Sequence, residues 1–375
     1  MKALLKTEVQ RLRTSSLAQN AGWMLAGLGT NLILQAGYFV LLAHLLGVVE
    51  YGIFVGALAY VSLATPYSGL GSGLLFVQYV SSNAENFAAY WGNILLSTLC
   101  IGALIAALLS FIAPHLLNPG SASIVLLVAL GECICRQLVI GISQIYQAFE
   151  QLRMTATITL LTNFLRLMAV AALALFLHHA SAWQWAMASL VVSTLAALAG
   201  LAIVMVNFGR PKFTHRILFA RLGEGLNFSL AGSTQSAYDD IDKAMLSHYG
   251  MNVANGIYTM AYRLVNLGTI PITALDAAAL PHYFRKGEQG AAAVQSLALR
   301  LARRAAFVGL LMSFCMFVAA PLIPRIVGQE FGQSVSALRW LCLIPAFRGA
   351  HQLAGSAITG LGFQRYRTRA QLGAA

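Results

Sequence analysis

Residues 123–147 read SIVLLVALGECICRQLVIGISQIYQ, an apolar stretch with one charged pair near its centre. Its length fits a helix that crosses a membrane, which needs about 20 mostly apolar residues. Glu132 and Arg136 lie four positions apart, so a helix places them on one face, where they can form an ion pair. An arginine at the centre of a bilayer costs about 2.5–3.5 kcal/mol on insertion scales. We therefore expect this arginine to face the interior of a helix bundle.

Three other membrane-length segments hold an arginine near the middle, namely Arg166, Arg263 and Arg348. None of them has an acidic residue three or four positions away, so a carboxylate partner would have to come from another helix. Together with Arg136 they predict a hydrated, positively charged cavity whose natural guest is an anion. Arginine suits phosphate because its planar fork binds two oxygens and keeps its proton. For Arg136, a purely structural ion pair with Glu132 is the alternative.

The composition is that of a membrane protein. The 375 residues are 58% hydrophobic and only 10% charged, whereas a soluble domain carries about 25% charged residues. An all-α integral membrane protein is predicted, because lipid cannot satisfy the backbone groups of open sheet edges. The net charge of +12 would suggest a nucleic-acid partner for a soluble protein. Here most of it lies in short loops, where it sets topology, so no nucleic-acid partner is expected.

The hydropathy pattern predicts ten transmembrane helices. They cover residues 22–46, 52–78, 89–113, 123–147, 155–177, 184–206, 225–248, 253–281, 305–324 and 336–361. Loops on one side of this map hold 17 of the 24 Lys and Arg residues, and loops on the other side hold only Arg325. Because cytoplasmic loops carry the excess of positive charge, the map places both termini in the cytoplasm.

The predicted spans form two lobes. An N-terminal six-helix lobe covers residues 1–206, a basic amphipathic hinge covers 207–223, and a four-helix C-terminal lobe covers 224–375. A weak internal repeat follows the first and the seventh span, and it pairs Gly47, Gly52 and Phe54 with Gly250, Gly256 and Tyr258. The repeat is parallel and implies six spans in the second lobe, where four are found. The chain is therefore either a functional short form or a truncated, non-transporting remnant.

Carboxylates at membrane depth are candidates for binding a coupling cation, either H⁺ or Na⁺. Asp239, Asp240 and Asp242 cluster with Lys243 on the seventh span, and Asp239 and Asp240 can each reach the lysine at helical spacing. Alternatively, some of these groups are simply solvated near the outer end of the span. Lys243 could also add to the cationic cavity. Weaker or additional coupling candidates are Asp276 on the eighth span and Glu132.

Proline and glycine interrupt several of the apolar segments. Pro66 is followed by Gly69, Gly71 and Gly73 in the second span, and the later segments contain Pro271 and Pro345. Such residues can serve as bending points when lobes move, although tight packing of small residues is an equal alternative.

Several motifs are absent from the sequence. It contains no Gly-x-x-x-x-Gly-Lys-Ser/Thr, no Gly-x-Ser-x-Gly and no His-Glu-x-x-His. We expect no ATP-driven motor, no metal, no cofactor and no enzymatic activity. The short outer loops also argue against a membrane polymerase or glycosyltransferase, which would need a catalytic loop.

Four segments resemble the polysaccharide flippase and export family, which belongs with the multidrug-extrusion and lipid II flippases. They are Leu-Leu-Gly…Tyr-Gly-Ile-Phe (45–54), Asp-Asp-Ile-Asp-Lys with Gly-Ile-Tyr-x-x-Ala-Tyr-Arg (239–263), Pro-Ile-Thr-Ala-Leu…Pro-His-Tyr (271–283) and Val-Gly-Gln-Glu-Phe…Leu-Arg-Trp-Leu (327–341). The resemblance covers nearly the whole chain. It depends more on the order and spacing of these four segments than on any single motif. Members usually have twelve or more spans.

The resemblance implies a function. Family members move undecaprenyl-pyrophosphate-linked oligosaccharide repeat units across the bacterial inner membrane, as in the export of O-antigen, lipopolysaccharide or exopolysaccharide precursors. A monomer surrounded by membrane lipids is expected, with two lobes that alternate in access around the cationic cavity. A multidrug-type exporter of the same architecture is the alternative, although its usual cationic cargo would favour an acidic cavity.

Overall fold

The computed structural model describes residues 2–287 and 290–361, and every regular element in these ranges is helical. The all-α prediction is confirmed. A π-helix at Leu130–Arg136 joins α4 to α5, and short 3₁₀ turns lie at Ala84–Asn86, Ala320–Leu322 and Gln329–Phe331. The α-helices are α1 (Lys2–Ser68), α2 (Ser72–Val80), α3 (Phe87–Leu116), α4 (Pro119–Ala129), α5 (Gln137–Ala148), α6 (Leu152–Phe176), α7 (Ala182–Phe208), α8 (His215–Ala220), α9 (Leu222–His248), α10 (Asn252–Gly287), α11 (Ala291–Ala319), α12 (Ile323–Ile326), α13 (Ser334–Leu341) and α14 (Ile344–Gly360).

Polar residues fix where two of these helices begin. Helix α7 starts with a capping box, in which the Gln184 N–H donates to the Ser181 hydroxyl and the Ser181 N–H donates to the Gln184 side chain. Helix α4 starts with Asn118, whose side-chain oxygen accepts from the Ser121 N–H at 3.0 Å, and has Pro119 at its first position. These capping residues define where one apolar helix ends and the next begins, a boundary that hydropathy alone does not locate.

Among the described residues, six helical stretches are long and apolar enough to cross a membrane. Helices α9 and α10 are not among them. The first stretch covers most of the first predicted span and all of the second, and it includes both the kink at Gly47 and the break between α1 and α2. The protein is a multi-pass membrane protein, and the exact number of ten spans stays a prediction. The six stretches are Gly29–Val80, Ala84–Leu116, Pro119–Ala148, Arg153–Phe176, Ala182–Phe208 and Ala291–Ile326.

The chain divides into two compact units. Unit 1 comprises Met1–Leu46 and Gly56–Gly250, and unit 2 comprises Gly47–Val55 and Met251–Ala375. Helix α9 therefore clusters with unit 1, whereas the sequence placed it at the start of the second lobe. The lobes predicted for transport at 1–206 and 224–375 stay a prediction, because compactness in one conformation does not show which parts move together.

Each unit has its own apolar core. In unit 1, α2, α3, α5 and α7 pack around Phe76, Trp91, Ile142 and Tyr146. In unit 2, α10, α11 and α14 pack around Ile272, Tyr283, Val294 and Leu353. Many other large apolar side chains point outward, including Phe111, Leu175, Phe176 and Phe307. Outward apolar side chains are expected of helices that contact lipid rather than water.

The internal repeat has a structural counterpart at its glycines. Gly47 and Gly250 both have a φ of 69°, in the left-handed region that favours glycine. In unit 2, a Cβ on Gly52 would lie 1.8 Å from the Asn252 carbonyl oxygen, and one on Gly256 would lie 2.3 Å from the Val48 carbonyl oxygen. Gly52 thus packs against the backbone of Asn252, which lies four positions before Gly256. In the same way, Gly256 packs against the backbone of Val48, which lies four positions before Gly52. Such a reciprocal contact is expected when two helices with the same glycine pattern pack against each other.

A carboxylate caps the kink at Gly47. The Val48 N–H, which the kink frees from the helical ladder, donates to the Glu330 carboxylate at 3.1 Å within unit 2. The Tyr51 ring lies edge-on against Phe331, and the Ser334 hydroxyl donates to the Ile257 carbonyl oxygen. The Gly-Gln-Glu-Phe segment singled out in the sequence therefore holds the kink in place.

A polar cluster anchors the start of α9 in unit 1. The Tyr79 hydroxyl donates to Glu224 at 2.8 Å, and the Arg221 guanidinium donates to the other carboxylate oxygen at 2.7 Å while lying 4.5 Å from the centre of the Tyr79 ring. The hydrogen bond from Tyr79, followed by that from Arg221, stabilises the carboxylate, so the pKa of Glu224 lies below its usual value of 4.5.

Replacing this carboxylate should change stability in a pH-dependent way. Because the folded pKa of Glu224 is lowered, its contribution is present above pH 4.5 and is lost as pH falls through the folded value. We expect Glu224→Gln to lower the melting temperature of the purified protein slightly at pH 7, since the carboxylate is partly exposed. The difference should shrink below pH 4.5, as measured by thermal unfolding in detergent at several pH values. A difference that is constant from pH 3 to pH 8 would contradict this assignment.

Candidate functional site

Unit 1 contains a cavity of about 350 Å³. Its wall combines charged groups with uncharged hydrogen-bonding side chains and glycine backbone. The charged lining residues are Glu132, Arg136 and Asp240, and the amides of Gln137 and Gln144 lie beside them. Polar groups that converge in a cavity at membrane depth mark a functional site, because such groups are costly to keep there.

The π-helix places the first charged pair on the cavity wall. Glu132 and Arg136 both lie in the wider turn of Leu130–Arg136, and the Arg136 guanidinium donates to the Glu132 carboxylate at 2.5 Å. The arginine side chain remains 50% exposed, while that of Glu132 is 11% exposed. The sequence predicted this pair in an ordinary α-helix and missed the π-helix, a feature often found at functional sites.

The predicted cavity residue Arg166 joins the same carboxylate from α6. Its guanidinium lies 3.3 Å from the second oxygen of Glu132, and its side chain is 17% exposed. Two permanent cations therefore share one carboxylate, which leaves one positive charge in excess. The partner of Arg166 comes from a distant part of the chain, which is why spacing along the sequence could not reveal it.

The opposite wall belongs to α9. The Lys243 ammonium, which is buried, lies 2.9 Å from an Asp240 oxygen and 3.8 Å from Asp242. The Ser62 hydroxyl donates to the other Asp240 oxygen at 2.7 Å. Asp239 contacts the lysine through its main-chain carbonyl oxygen, and its carboxylate accepts from Gln235. Of these acidic residues, Asp240 lines the cavity, and an internal ammonium already occupies the space beside it.

The other predicted site residues belong to unit 2. Arg263 lies beside Tyr51, and the Arg348 guanidinium donates to the Asn266 side chain at 3.1 Å. Asp276 accepts from the Ser356 hydroxyl at 3.1 Å. Their role in binding cargo or a coupling ion stays a prediction. Within the described residues, no group of three His, Cys, Asp or Glu side chains is arranged to hold a metal ion.

Sequence reasoning missed the uncharged members of the site. Gln137 and Gln144 lie seven positions apart on α5, so they share a helix face. A Cβ on Gly69 would lie 2.7 Å from the Gln137 amide nitrogen, and one on Gly73 would lie 1.7 Å from the Gln144 amide oxygen. The Gln137 amide thus rests against Gly69 in the gap between α1 and α2, and the Gln144 amide rests against Gly73 in the first turn of α2. The spacing of the glutamines was the available signal.

A family comparison agrees with this architecture. The family model described as polysaccharide biosynthesis protein matches residues 17–285. The chain belongs to this family. The match includes α9, most of α10 and every charged residue that lines the cavity.

Solved structures show which fold this polysaccharide biosynthesis family member adopts. An inward-facing multidrug resistance MATE family transporter of the MOP superfamily matches with a TM-score of 0.66 and 17% identity, over 94% of this chain and 82% of that chain. An outward-facing transporter of the same kind matches with a TM-score of 0.57 and 16% identity, over 93% and 82%. A MATE in complex with MaD5 matches with a TM-score of 0.57 and 15% identity, over 93% of this chain and 84% of that chain. No curated protein is significantly similar in sequence.

These likenesses establish the fold of the family member and no more, because the identities are low. The matched solved structures are transporters, and they were captured facing opposite sides of the membrane. The shared fold agrees with the flippase resemblance seen in the sequence. The chain is therefore a member of a polysaccharide biosynthesis family that has the fold of these transporters.

Proposed function

We propose that the protein translocates undecaprenyl-pyrophosphate-linked oligosaccharide repeat units across the bacterial inner membrane, with both termini in the cytoplasm. O-antigen, lipopolysaccharide and exopolysaccharide precursors are the cargo classes that fit. The cargo's anionic head binds in the cavity of unit 1, and two lobes alternate in access around it. The family match and the transporter fold support this proposal.

The observation that carries the proposal is the sharing of Glu132 by two arginines. Arg136 is half exposed at the cavity, so it can receive an anion, whereas Arg166 is mostly enclosed. A phosphate oxygen that enters the cavity competes with Glu132 for Arg136, while Arg166 keeps the displaced carboxylate in place. Exchange of one anion for another avoids leaving a guanidinium unpaired at membrane depth.

This arrangement also limits how tightly cargo is held. A transporter must bind its cargo well enough to admit it and weakly enough to release it. When the phosphate leaves, Glu132 pairs with Arg136 again. This regained ion pair makes release of the cargo less unfavourable, so the cargo is bound less tightly than it would be by an unpaired arginine. The uncharged amides of Gln137 and Gln144 can hydrogen-bond sugar hydroxyls without adding charge.

Coupling to an ion is proposed at Asp240. This carboxylate lines the cavity and is held by Ser62 and Lys243. A proton or a sodium ion that binds there must compete with the Lys243 ammonium, so occupancy of the site and the position of the lysine are linked. Asp239, Asp242 and Asp276 are retained as further coupling candidates.

The proposal is tested by complementation of a flippase-null strain. We expect Arg136→Ala to reduce surface polysaccharide at least tenfold at unchanged protein level, because the cargo's phosphate loses its charge-assisted hydrogen bonds. Arg136→Lys should retain part of the function, since it keeps the charge but loses the bidentate fork. The readout is surface polysaccharide on gels, normalised to the amount of protein in the membrane.

The matched control is Arg300→Ala, which removes an exposed arginine that bonds its own helix at the Ser296 carbonyl oxygen. That variant should complement as well as the unmodified chain. Normal polysaccharide in cells that carry Arg136→Ala would count decisively against a role of this cavity in transport.

A multidrug exporter is the second candidate, and the MATE neighbours favour it. Glu132 and Asp240 on the cavity wall could receive a cationic drug if their internal partners moved away. The discriminating measurement is the susceptibility of a drug-sensitive strain with and without the gene. A rise in resistance to cationic drugs, without rescue of polysaccharide, would favour this candidate.

A further inference from the structure

The second predicted span is broken where it borders the cavity. Helix α1 ends at Ser68 and α2 begins at Ser72, with Leu70 and Gly71 at φ values of 45° and 61°. The Ser72 N–H donates to the Gly69 carbonyl oxygen and the Leu75 N–H to that of Gly71. No side chain among the described residues caps α2. The N–H groups of the intervening residues 73 and 74 remain at the positive end of the helix dipole.

The two sides of the break differ in their hydrogen bonding. Hydroxyl donors already serve carbonyl oxygens near the end of α1, from Ser68 to Thr65 at 2.7 Å and from Ser233 to Leu63 at 2.9 Å. Among the described residues, no side chain accepts a hydrogen bond from the N–H groups of residues 73 and 74, although the Gln144 amide oxygen lies next to Gly73. The break therefore offers donors to a ligand, which favours an anion over a cation.

A second observation independently indicates a ligand. Within the part of the chain that the structure describes, the Ser229 hydroxyl is buried without a hydrogen-bond partner, and the residue is only 2% exposed. Ser229 lines the cavity, as do Gly71, Gly73 and Leu74 of the break. Leaving a buried hydroxyl without a hydrogen-bond partner is unfavourable, so its place on a cavity wall requires an explanation.

The packing of α9 places this serine opposite the break. A Cβ on Gly225 would lie 2.2 Å from the Leu70 carbonyl oxygen, and one on Gly232 would lie 3.0 Å from Pro66. Ser229 lies between these two glycines on the same helix, so it is level with the unwound residues. Glycine at both contacts lets the helix approach the break closely enough for a hydroxyl to reach a shared ligand.

We propose that the N-terminus of α2 and the Ser229 hydroxyl form a subsite for a phosphate group of the lipid-linked cargo. This deepens the proposed function and rests on it. The N–H groups of residues 73 and 74 and the Ser229 hydroxyl donate to phosphate oxygens, while Arg136 on the same cavity supplies charge. Glu132 and Asp240 also line the cavity, but each is held by an internal cation.

Binding of inorganic pyrophosphate to the purified full-length chain in lipid nanodiscs tests the subsite. We expect Ser229→Ala to weaken binding about 3- to 10-fold, as measured by isothermal titration calorimetry. Leu74→Pro removes one N–H of the first turn, where proline is tolerated, and Gly73 before it has no Cβ to clash with the ring. Leu74→Pro should bind about 3- to 10-fold more weakly than Leu74→Ala, which keeps the N–H. Ser110→Ala, whose hydroxyl bonds the Ala106 carbonyl oxygen of its own helix, is the control for loss of a hydroxyl.

The outcomes separate the subsite from the transport function. Equal binding by wild type, Ser229→Ala and Leu74→Pro, or no binding by wild type, would overturn the subsite even if polysaccharide complementation succeeds. If the binding pattern holds but complementation fails, the anion subsite stands and the proposed cargo is wrong. Undecaprenyl pyrophosphate in the nanodisc should compete with the inorganic ion. Absence of competition would overturn the lipid-linked phosphate and leave a free anion as ligand. If Ser229→Ala does not fold, as judged by size-exclusion chromatography, the Leu74 pair still decides.

Discussion

Replacing Glu132 by alanine is expected to destabilise the protein by about 3–5 kcal/mol and to abolish transport. The carboxylate is the shared partner of Arg136 and Arg166, so its loss removes the ion-pair partner of two guanidinium groups in the membrane-spanning part of unit 1. The measurement is the free energy of unfolding in a detergent titration, together with polysaccharide complementation. Glu132→Gln should be less destabilising, because it keeps a hydrogen-bond acceptor.

A double variant makes the cause of this effect visible. Adding Arg166→Gln to Glu132→Gln removes the more enclosed guanidinium, so the double variant should be more stable than the sum of the two single variants. Glu85→Ala, at an exposed turn, is the matched control and should change stability by less than about 0.5 kcal/mol. Additive effects of Glu132 and Arg166 would show that the pair seen in the structure contributes nothing.

The glycine contact between the two repeats should be equally sensitive. We expect Gly52→Ala to destabilise unit 2 by about 3 kcal/mol and Gly52→Leu to prevent folding, because a Cβ would lie 1.8 Å from the Asn252 carbonyl oxygen. The obstacle is backbone, which cannot rotate away as a flexible side chain can. The readout is the fraction of monodisperse protein after size-exclusion chromatography in detergent.

Two further variants complete this test. Gly256→Ala should cause a loss similar to that of Gly52→Ala, since its Cβ would meet the Val48 carbonyl oxygen. Gly223→Leu should be tolerated, because no atom of another described part of the chain lies within 4 Å of a Cβ at that position. Stable, monodisperse Gly52→Leu protein would mean that the repeats do not pack as described.

Much of the fold could be predicted because hydropathy and charge act locally. Apolar runs of membrane length dictate helices in lipid, and the glycines of the repeat marked the turn at Gly47 and the matching turn at Gly250. The break beside Gly69 and Gly71 was also visible as a glycine-rich interruption. The grouping of α9 with unit 1 could not be predicted from the sequence. It depends on which apolar helix faces pack together, and the apolar residues are similar on every span.

The site was predicted in part for the same reason. Glu132 and Arg136 are neighbours on one helix, so their pairing followed from spacing alone. Arg166 reaches that carboxylate from α6, and Ser229 reaches the cavity from α9, through contacts between residues far apart in the chain. The π-helix was invisible because its wider turn has no signature in this sequence.

The sequence by itself determined that this chain is helical, spans a membrane several times and keeps arginines at membrane depth, because the cost of burying charge and open backbone in lipid leaves no other solution. Only the tertiary structure decided which arginines share a carboxylate, which serine lacks a partner and where a broken helix exposes its amide groups. Those features arise where separate helices meet, and the geometry of such meetings is set by side-chain packing rather than by any local pattern.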